Sequence, residues 1–338
     1  MSLLLATNDL CWLHEAGPHH PERPARLDAF RRGIERAELA EAVNLVEAPP
    51  AERAAVERIH PGEVLDRLQM LCMQGGGPID PDTIVNEVSS DAAWVAAGAG
   101  LELIRRLDAG EGDTGWSVVR PPGHHALPNK QMGFCLINNV AVAGRFLADR
   151  GERVAIVDID AHHGNGTQDI FYDDPNVLFV SLHQYPWYPY TGALEETGAG
   201  PGVGTTVNIP LPASTAGVVY RSAIDDVVVP RIEKFAPTWI LISAGFDGHR
   251  ADPITDLGLS SADYADVSRT LMHLVPAGRR LLFLEGGYDT DALAACAGSV
   301  AAAAVDHDYR PERATSGDRG VAEVAAAKQL HLTMPEHG

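Results

Sequence analysis

The sequence lacks any hydrophobic run long enough to cross a membrane. A membrane-spanning helix needs about 20 consecutive apolar residues, and the longest apolar runs in the 338 residues are shorter. The first six residues have no basic flank, and their apolar stretch ends at Thr7, which is too early for a secretory signal peptide. These absences predict a cytoplasmic protein without a membrane partner.

Basic residues are scarce. The chain has 26 lysines and arginines against 46 aspartates and glutamates, which gives a formal net charge of −20. Nucleic-acid phosphates are bound by basic stripes, and the sequence has none, so we expect no nucleic-acid partner. The acidity either keeps the protein soluble, which is the commoner case, or attracts cationic substrates.

Cysteines are few and widely spaced. They form no C-x-x-C pair, which excludes a zinc ribbon and a disulfide framework and predicts reduced thiols at Cys11, Cys72, Cys135 and Cys296. The G-x-S-x-G elbow of serine hydrolases, the G-x-G-x-x-G dinucleotide fingerprint and the Walker loop are also absent. The glycine-rich stretch 198–204 has no lysine to bind phosphate and is interpreted as a structural loop.

The chain contains an alternation of short apolar runs and helical patterns. The strand candidates are residues 3–6, 43–46, 116–120, 154–157, 177–182, 206–209, 239–243 and 281–284. The helix candidates are residues 24–36, 91–109, 140–150, 218–235 and 261–274. Near-continuous apolar strands alternating with helices are typical of a parallel sheet covered on both faces. No repeat or linker divides the chain, so we predict an α/β protein whose residues 1–338 form a single open domain with a central eight-stranded, mainly parallel sheet.

Four strand candidates run directly into polar segments. These segments are PPGHH at 121–125, DIDAHHG at 158–164, AGFD at 244–247 and EGGYD at 285–289. Right-handed crossovers bring the carboxyl ends of parallel strands to one edge of the sheet, and ligands bind outside that edge. Four runs with the same layout therefore indicate one shared site rather than four unrelated turns.

Two of these segments carry metal-ligand chemistry. Asp158, Asp160 and His162 recur with a period of two, so on an extended segment their side chains would share one face. An unpaired buried carboxylate is very costly, and a cation removes that cost. Asp and His together suit zinc or a similar divalent ion. Asp160, His162 and Asp247 would provide three ligands and leave one position open, while Asp158 would orient a histidine.

Three further side chains suit acid–base and oxyanion chemistry. His124 and His125 follow a Pro-Pro-Gly turn at a strand end and are interpreted as acid–base groups. Asp158 or Asn165 could bind the far nitrogens of these imidazoles, and the Tyr288 hydroxyl could donate to a developing oxyanion. Together with the metal, these groups indicate hydrolysis of a carbonyl compound.

The motifs together resemble the histone deacetylase superfamily, which includes acetylpolyamine amidohydrolases and bacterial histone deacetylase-like amidohydrolases. The resemblance extends from residue 20 to beyond Tyr288. It rests on RPPGHHA (120–126), GFCLINNVAVA (133–143), DIDAHHGNGTQ (158–168), SLHQYPWYPYTG (181–192), NIPLP (208–212), SAGFDGHRADP (243–253) and EGGYD (285–289). RPPGHHA and HHGNGTQ are similar to the class II branch. The family fold, shared with arginase, is one open α/β domain with an eight-stranded parallel sheet.

The resemblance implies a metal centre of defined composition. It implies one catalytic zinc ion held by Asp160, His162 and Asp247. It also implies a potassium ion near the zinc, bound through carbonyls and side chains of Asp158, Asp160, His162, Ser181 and Leu182. A second, peripheral alkali site would use the carbonyls around Phe171, Asp174 and Val177.

The resemblance also implies the catalytic roles. His124 is the electrostatic partner backed by Asp158, and His125 is the general base and acid. Asn165 stands where the class I branch has an aspartate behind the second histidine, so a less charge-stabilised imidazolium is expected. Tyr288 would be the transition-state donor, and a tyrosine at this position supports deacetylase activity.

The acyl-lysine tunnel of the family is walled by two aromatic residues and the glycine of a Gly-Phe motif. Gly133, Phe134 and Tyr188 match these positions, although the two aromatics could instead be ordinary core residues. Tyr190 stands where relatives commonly have glycine, so the tunnel rim would be narrower or more aromatic. Ile254 stands where polyamine-selective class IIb members have a glutamate, which predicts a neutral gate.

One acidic residue near the predicted tunnel is left open. Glu87 lies in a loop that often contacts the substrate in the family, and a solvated loop charge explains it equally well. The sequence does not decide between these two interpretations.

Several functions are compatible with this reading. The first is removal of an acetyl or other short acyl group from an amine, with protein acetyl-lysine and small acetylated amines such as acetylpolyamines as the two substrate classes. The second is an arginase-type ureohydrolase, which needs an aspartate for a second metal where this chain has Gly164. The third is a non-catalytic acyl-amine binding module, which the presence of Tyr288 and both histidines disfavours. The oligomeric state is left open.

Overall fold

Strands and helices alternate through residues 1–333, the part of the chain that the structure, a computed structural model, describes. In chain order the elements are β1 Leu3–Thr7, α1 Leu10–Leu13, α2 Ala25–Arg36, β2 Val43–Glu47, α3 Arg53–Val56, α4 Gly62–Met73, β3 Gly77–Pro78, β4 Ile84–Val85, α5 Ser89–Asp108, β5 Thr114–Ser117, α6 Asn139–Asp149, β6 Val154–Asp158, α7 Asn165–Phe171, β7 Val177–Gln184, β8 Thr206–Leu211, α8 Gly217–Ala223, α9 Val229–Phe235, β9 Trp239–Ala244, α10 Ser261–Met272, β10 Arg280–Leu284, α11 Thr290–Ala304 and α12 Val321–Thr333. A 3-10 turn at Gly200–Gly202 and a π-helical segment at Ile224–Val228 complete this set.

One sheet contains eight of these strands, in the order β2-β1-β5-β10-β9-β6-β7-β8. Every neighbouring pair is parallel. All residues of β6, β7, β9 and β10 are buried, because a parallel sheet with helices on both faces hides both sides of its central strands. The predicted fold class is confirmed. The assignment of all 338 residues to one catalytic domain stays a prediction.

The strand order explains why four polar segments meet. The strands β5, β10, β9 and β6 are consecutive neighbours in the sheet, and each of them leads into one of the four segments. Since parallel strands end at the same edge, the four segments lie side by side. The middle of the sheet is therefore where the site is built.

Two predicted boundaries were wrong. The third predicted strand covered 116–120, but the observed strand β5 ends at Ser117, and the chain leaves the sheet before two prolines that cannot donate to a strand ladder. The helix predicted over 218–235 is divided by the π-helical segment Ile224–Val228. Pro230 follows at the start of α9, and its ring would clash with the carbonyl four residues earlier in a regular α-helix.

Close helix packing explains an alanine-rich helix that hydrophobic periodicity did not reveal. The helix α11 is buried along almost its whole length and packs on α2. A Cβ at Gly33 of α2 would overlap the carbonyl of Ala294, so only glycine allows this approach. Burial on all sides removes the apolar stripe by which a surface helix is recognised.

Two sequence expectations concern the chain as a whole. The four cysteines are free, as predicted, and all four are buried. Within residues 1–333, no helix combines the length and the apolar character needed to cross a membrane.

Candidate active site

Two carboxylates and one imidazole converge at the centre of the carboxyl edge of the sheet. The Nδ1 atom of His162 lies 2.8 Å from Oδ2 of Asp247 and 3.1 Å from Oδ1 of Asp160. All three residues are buried. The expectation that Asp158, Asp160 and His162 share one face of a strand was wrong, because β6 ends at Asp158 and the other two lie in the following loop.

Backbone groups hold the carboxylates in place. The N–H of Gly286 donates to Oδ2 of Asp160 at 2.8 Å, and the N–H of Ala161 donates to Oδ1 of Asp247 at 2.8 Å. A Cβ at Gly245 would overlap Asp160, and one at Gly286 would overlap Asp247. These glycines therefore form a cradle that lets the backbone approach the carboxylates.

The electrostatics of this cluster favour a bound cation. Burial and the neighbouring Asp160 carboxylate raise the pKa of Asp247 to about 7. Burial would lower the pKa of His162, but the carboxylates of Asp247 and Asp160 outweigh it and raise that pKa to about 10. The three residues thus draw a positive charge into a buried space. Two carboxylate oxygens and one imidazole nitrogen fit a divalent ion of the zinc type, with neutral His162 as a ligand.

A pair of histidines lies beside this cluster. The ring centroids of His124 and His125 are 4.0 Å apart. His124 Nδ1 and Oδ2 of Asp158 are hydrogen-bonded at 3.0 Å, and His125 Nδ1 and Oδ1 of Asn165 are hydrogen-bonded at 2.7 Å. Since an amide oxygen only accepts, Nδ1 of His125 carries the proton, and the neutral ring has its lone pair on Nε2.

Their surroundings hold the two histidines in different charge states. Burial would lower the pKa of His124, but the carboxylates of Asp158 and Asp160 raise it well above its usual value. Burial lowers the pKa of His125, and the positive charge of the adjacent His124 lowers it further. The pair therefore consists of one imidazolium and one neutral imidazole, which is the division expected of a fixed charge beside a base.

Glu285 binds the backbone of the loop that carries His124, a contact that the sequence did not predict. Its Oε2 accepts the N–H groups of Gly123 at 2.8 Å and His124 at 3.2 Å. Burial raises the pKa of Glu285 to about 7. Glu285, His124 and Cys135 form a second group with ligand atoms close together, but burial raises the pKa of the Cys135 thiol well above its usual value, and a protonated thiol is a poor metal ligand.

Contacts with Asp252 and Arg26 hold Tyr288 in position. Its N–H donates to Oδ2 of Asp252 at 2.6 Å, and the Arg26 guanidinium lies 5.0 Å from its ring centroid. Arg26 also donates to the carbonyl of Gly287 at 2.7 Å and pairs with buried Glu22. Burial raises the pKa of the Tyr288 hydroxyl well above its usual value. The hydroxyl therefore stays protonated and can donate a hydrogen bond.

A cavity of about 300 Å³ connects these groups to the surface. Its lining includes three residues with candidate catalytic or metal-binding roles, His125, His162 and Tyr288. The predicted substrate-binding residues also line it, and these are Gly133, Phe134, Tyr188 and Ile254. The close approach of Gly133 to His125 requires glycine, because a Cβ would overlap the imidazole and the backbone φ is +56°.

Three further residues lie at the cavity mouth, and the sequence predicted only one of them there. Asp82, Trp187 and Tyr190 complete the lining. Of these, Tyr190 was expected at the rim and Trp187 lies in a quoted motif, whereas no local signal indicates Asp82. Glu87 is exposed and is not among the lining residues, so the acidic group of this loop at the cavity is Asp82.

The residues expected to bind potassium are brought together in part. Asp158 is in register with Ser181 on the adjacent strand, and Leu182 follows. The Ser181 hydroxyl is hydrogen-bonded to Nδ1 of His183 at 2.9 Å, and Tyr220 donates to the Leu182 carbonyl at 3.5 Å. The potassium site stays a prediction.

The residues expected to bind a peripheral alkali ion lie at the end of α7 and just after it. The Asp174 N–H donates to the Phe171 carbonyl at 3.1 Å, and the Asp174 carbonyl accepts from the Thr205 hydroxyl at 3.3 Å. Val177 begins β7 close by along the chain. This site also stays a prediction.

Gly164 distinguishes this centre from a two-metal site. A Cβ at this position would overlap Oδ2 of Asp158, which is already bonded to His124. An aspartate therefore cannot replace Gly164 without displacing Asp158. This position therefore has no room for the additional carboxylate that a second metal ion would need.

Comparisons with known proteins give a consistent result. Residues 20–304 match the family model described as the histone deacetylase domain. A probable deacetylase of Archaeoglobus fulgidus is 41% identical over 284 residues, covering 82% of this chain and 79% of that protein. A histone deacetylase-like amidohydrolase of Pseudomonas aeruginosa is 35% identical over 305 residues, covering 83% of this chain and 80% of that protein.

This chain is also similar to a protein of known crystal structure and to a plant protein. The crystal structure of the HDA15 HD domain superposes with a TM-score of 0.91 at 33% identity, covering 98% of this chain and 95% of that one. The chloroplastic histone deacetylase 14 of Arabidopsis thaliana is 35% identical over 301 residues, covering 81% of this chain and 70% of that protein. The structural superposition and the sequence identities therefore point to the same protein family.

Proposed function

This chain belongs to the histone deacetylase family, and we propose that it is a zinc-dependent hydrolase that removes acetyl or other short acyl groups from an amine. The family acts on acetylated amines and is generally metal-dependent. One observation carries the proposal: a metal-type cluster of Asp160, His162 and Asp247 reaches, through His162, the same 300 Å³ cavity that His125 and Tyr288 line.

The proposed chemistry begins at the metal ligands. Zinc bound there would polarise the substrate carbonyl and make a water molecule more acidic. His125, neutral and with Nε2 unprotonated, would accept the proton of that water and then return it to the leaving amine. Its hydrogen bond to Asn165 supports this role, because it fixes the tautomer.

Two other residues would stabilise the transition state. His124, paired with Asp158 and carrying a positive charge, would oppose the negative charge that develops nearby. The protonated Tyr288 hydroxyl would donate to the oxyanion. The chain supplies both groups before the substrate arrives, so little reorganisation is needed at the moment of reaction.

The substrate would enter along the aromatic walls of the cavity. Gly133, Phe134 and Tyr188 suit a narrow channel for an aliphatic acylated side chain, with acetyl-lysine as the first candidate. An acetylpolyamine is the second candidate, favoured by the carboxylate of Asp82 at the mouth, while the neutral Ile254 disfavours a gate of the class IIb type. We also propose the potassium sites and a cytoplasmic location, as the sequence indicated.

The test is acetate release by the zinc-loaded protein. An acetyl-lysine peptide and N-acetylputrescine are supplied at equal concentration, before and after removal of metal with a chelator. We expect release that disappears on chelation and returns with added zinc. Release that survives complete metal removal would refute the zinc assignment, and no release from any acylated amine would refute the hydrolase.

Replacing Asn165 by aspartate should change the pH dependence of this reaction. A carboxylate beside Nδ1 stabilises the imidazolium, so the pKa of His125 should rise by about one unit or more. Because the base must be neutral to accept a proton, the acid limb of the profile of kcat/KM against pH should move to higher pH. An unmoved acid limb would show that His125 does not limit the rate as a base.

A further inference from the structure

Tyr190, at the cavity mouth, has a backbone conformation that its packing in the fold does not explain. The backbone φ of Tyr190 is +65°, in the left-handed region that a tyrosine adopts only at a cost in free energy. Its side chain is 76% exposed, so burial of the ring does not offset that cost. Strained, exposed residues of this kind are concentrated at functional sites.

The surrounding loop holds Tyr190 in this conformation. The Tyr190 N–H donates to the Trp187 carbonyl at 2.7 Å, and the Trp187 indole N–H donates to the Ile254 carbonyl at 3.2 Å. On the other side, the Thr191 hydroxyl is hydrogen-bonded to Nδ1 of His163 at 2.8 Å. Both ends of the turn are therefore anchored. The backbone that carries the Tyr190 ring is therefore ordered at the mouth before a substrate binds.

The chemistry of the mouth favours a positive charge. The aromatic rings of Trp187 and Tyr190 line it together with the carboxylate of Asp82, and no lysine or arginine lies among the described residues of the lining. Aromatic faces attract cations, and the chain carries a net charge of −20, which draws cationic molecules toward it.

We propose that Tyr190 is a specificity-determining residue that binds a positively charged group carried by the substrate beyond its acylated amine. The proposal rests on the proposed deacylation, because the same cavity must hold the acyl group. A basic residue next to an acetyl-lysine and the free ammonium group of an acetylated diamine share this chemistry. The experiment below distinguishes the two sources.

The test uses matched substrates that differ in one charge. The peptide pair has acetyl-lysine beside arginine or beside citrulline, and the small pair is N-acetylputrescine and N-pentylacetamide. The full zinc-loaded chain should have a lower KM for the charged member of at least one pair, and the pair concerned identifies the source. Tyr190→Gly should raise that KM about three- to fivefold, as expected for an exposed cation–π contact, with little change in kcat or in the KM of the neutral member.

Two further variants separate binding from folding. Glu38→Gly relieves a left-handed φ of +55° at an exposed position outside the cavity lining, so both glycine variants should keep or raise Tm, and only Tyr190→Gly should raise KM. Tyr190→Phe keeps the ring and should keep the preference for charge. Equal KM values within both pairs, or an equal loss for charged and neutral substrates in Tyr190→Gly, would overturn the proposal.

Binding provides a readout that does not depend on turnover. Calorimetric titration of His125→Ala, which should not turn substrate over, with each member of both pairs should show tighter binding of the charged member, and adding Tyr190→Gly to this variant should reduce the difference, while the carboxylate of Asp82 still favours the charge. If no substrate releases acetate, the proposed deacylation fails, while this titration still decides the role of Tyr190. Equal affinities for charged and neutral members would then overturn it.

Discussion

Replacing His125 by alanine should abolish detectable turnover while the protein keeps its zinc. The imidazole is the neutral group that borders both the metal cluster and the cavity, and its tautomer is fixed by Asn165. Loss of a positioned general base costs on the order of 10²–10⁴ in rate, and here the same group would also protonate the leaving amine. We therefore expect a loss at the upper end of this range.

The measurement pairs steady-state acetate release with the zinc content of the same sample. His331→Ala is the matched control, because His331 is also buried but bonds the carbonyl of Asn208, away from the cavity lining. The control should lose stability and keep its kcat. Near-native turnover in His125→Ala would defeat the assignment of the base, and loss of zinc would show that the change had damaged the metal site instead.

Tyr288→Phe should lower kcat by on the order of 10²–10³, the usual effect of removing one oxyanion donor. KM should change little, since the hydroxyl donates to a charge that exists only in the transition state. The ring itself stays, so the packing with Phe134, at 5.8 Å between centroids, and with Arg26 is retained. Tm should therefore stay close to that of the parent protein.

A second buried tyrosine provides the control for this prediction. The Tyr264 hydroxyl is buried without a hydrogen-bond partner among the described residues, so Tyr264→Phe removes an unsatisfied group and should leave kcat unchanged. Both variants are compared by kcat and by thermal unfolding. A loss in kcat of less than about threefold for Tyr288→Phe would mean that its hydroxyl has only a structural role.

Local patterns were sufficient for much of the fold. The eight strands were predicted because each is a short apolar run, and runs buried on both faces have the same appearance in every parallel sheet. The helix α11 was missed for a related reason, since a helix buried all round has no periodic stripe. The division of the helix over 218–235 depended on how Pro230 is accommodated, which periodicity does not report.

The candidate site was predictable where its residues lie in short motifs. His124, His125, Asp160 and His162 were identified from spacing and residue type, and Asp247 from its place after a buried strand. Their assignment to catalytic and metal-binding roles stays a prediction that the experiments above test. Glu285 was seen only as part of a motif, because its contact with the N–H groups of Gly123 and His124 joins positions about 160 residues apart.

Residue type and spacing by themselves determined that this protein is an α/β chain with polar chemistry at the ends of four strands. Tertiary structure decided which strands are neighbours, that Asp82 rather than Glu87 lines the mouth, and that the Tyr190 backbone is left-handed. The physical reason is the separation along the chain over which each kind of interaction acts. Periodicity and turn propensity act over a few residues, whereas strand order, cavity lining and the anchoring of a strained loop depend on contacts between distant parts of the chain.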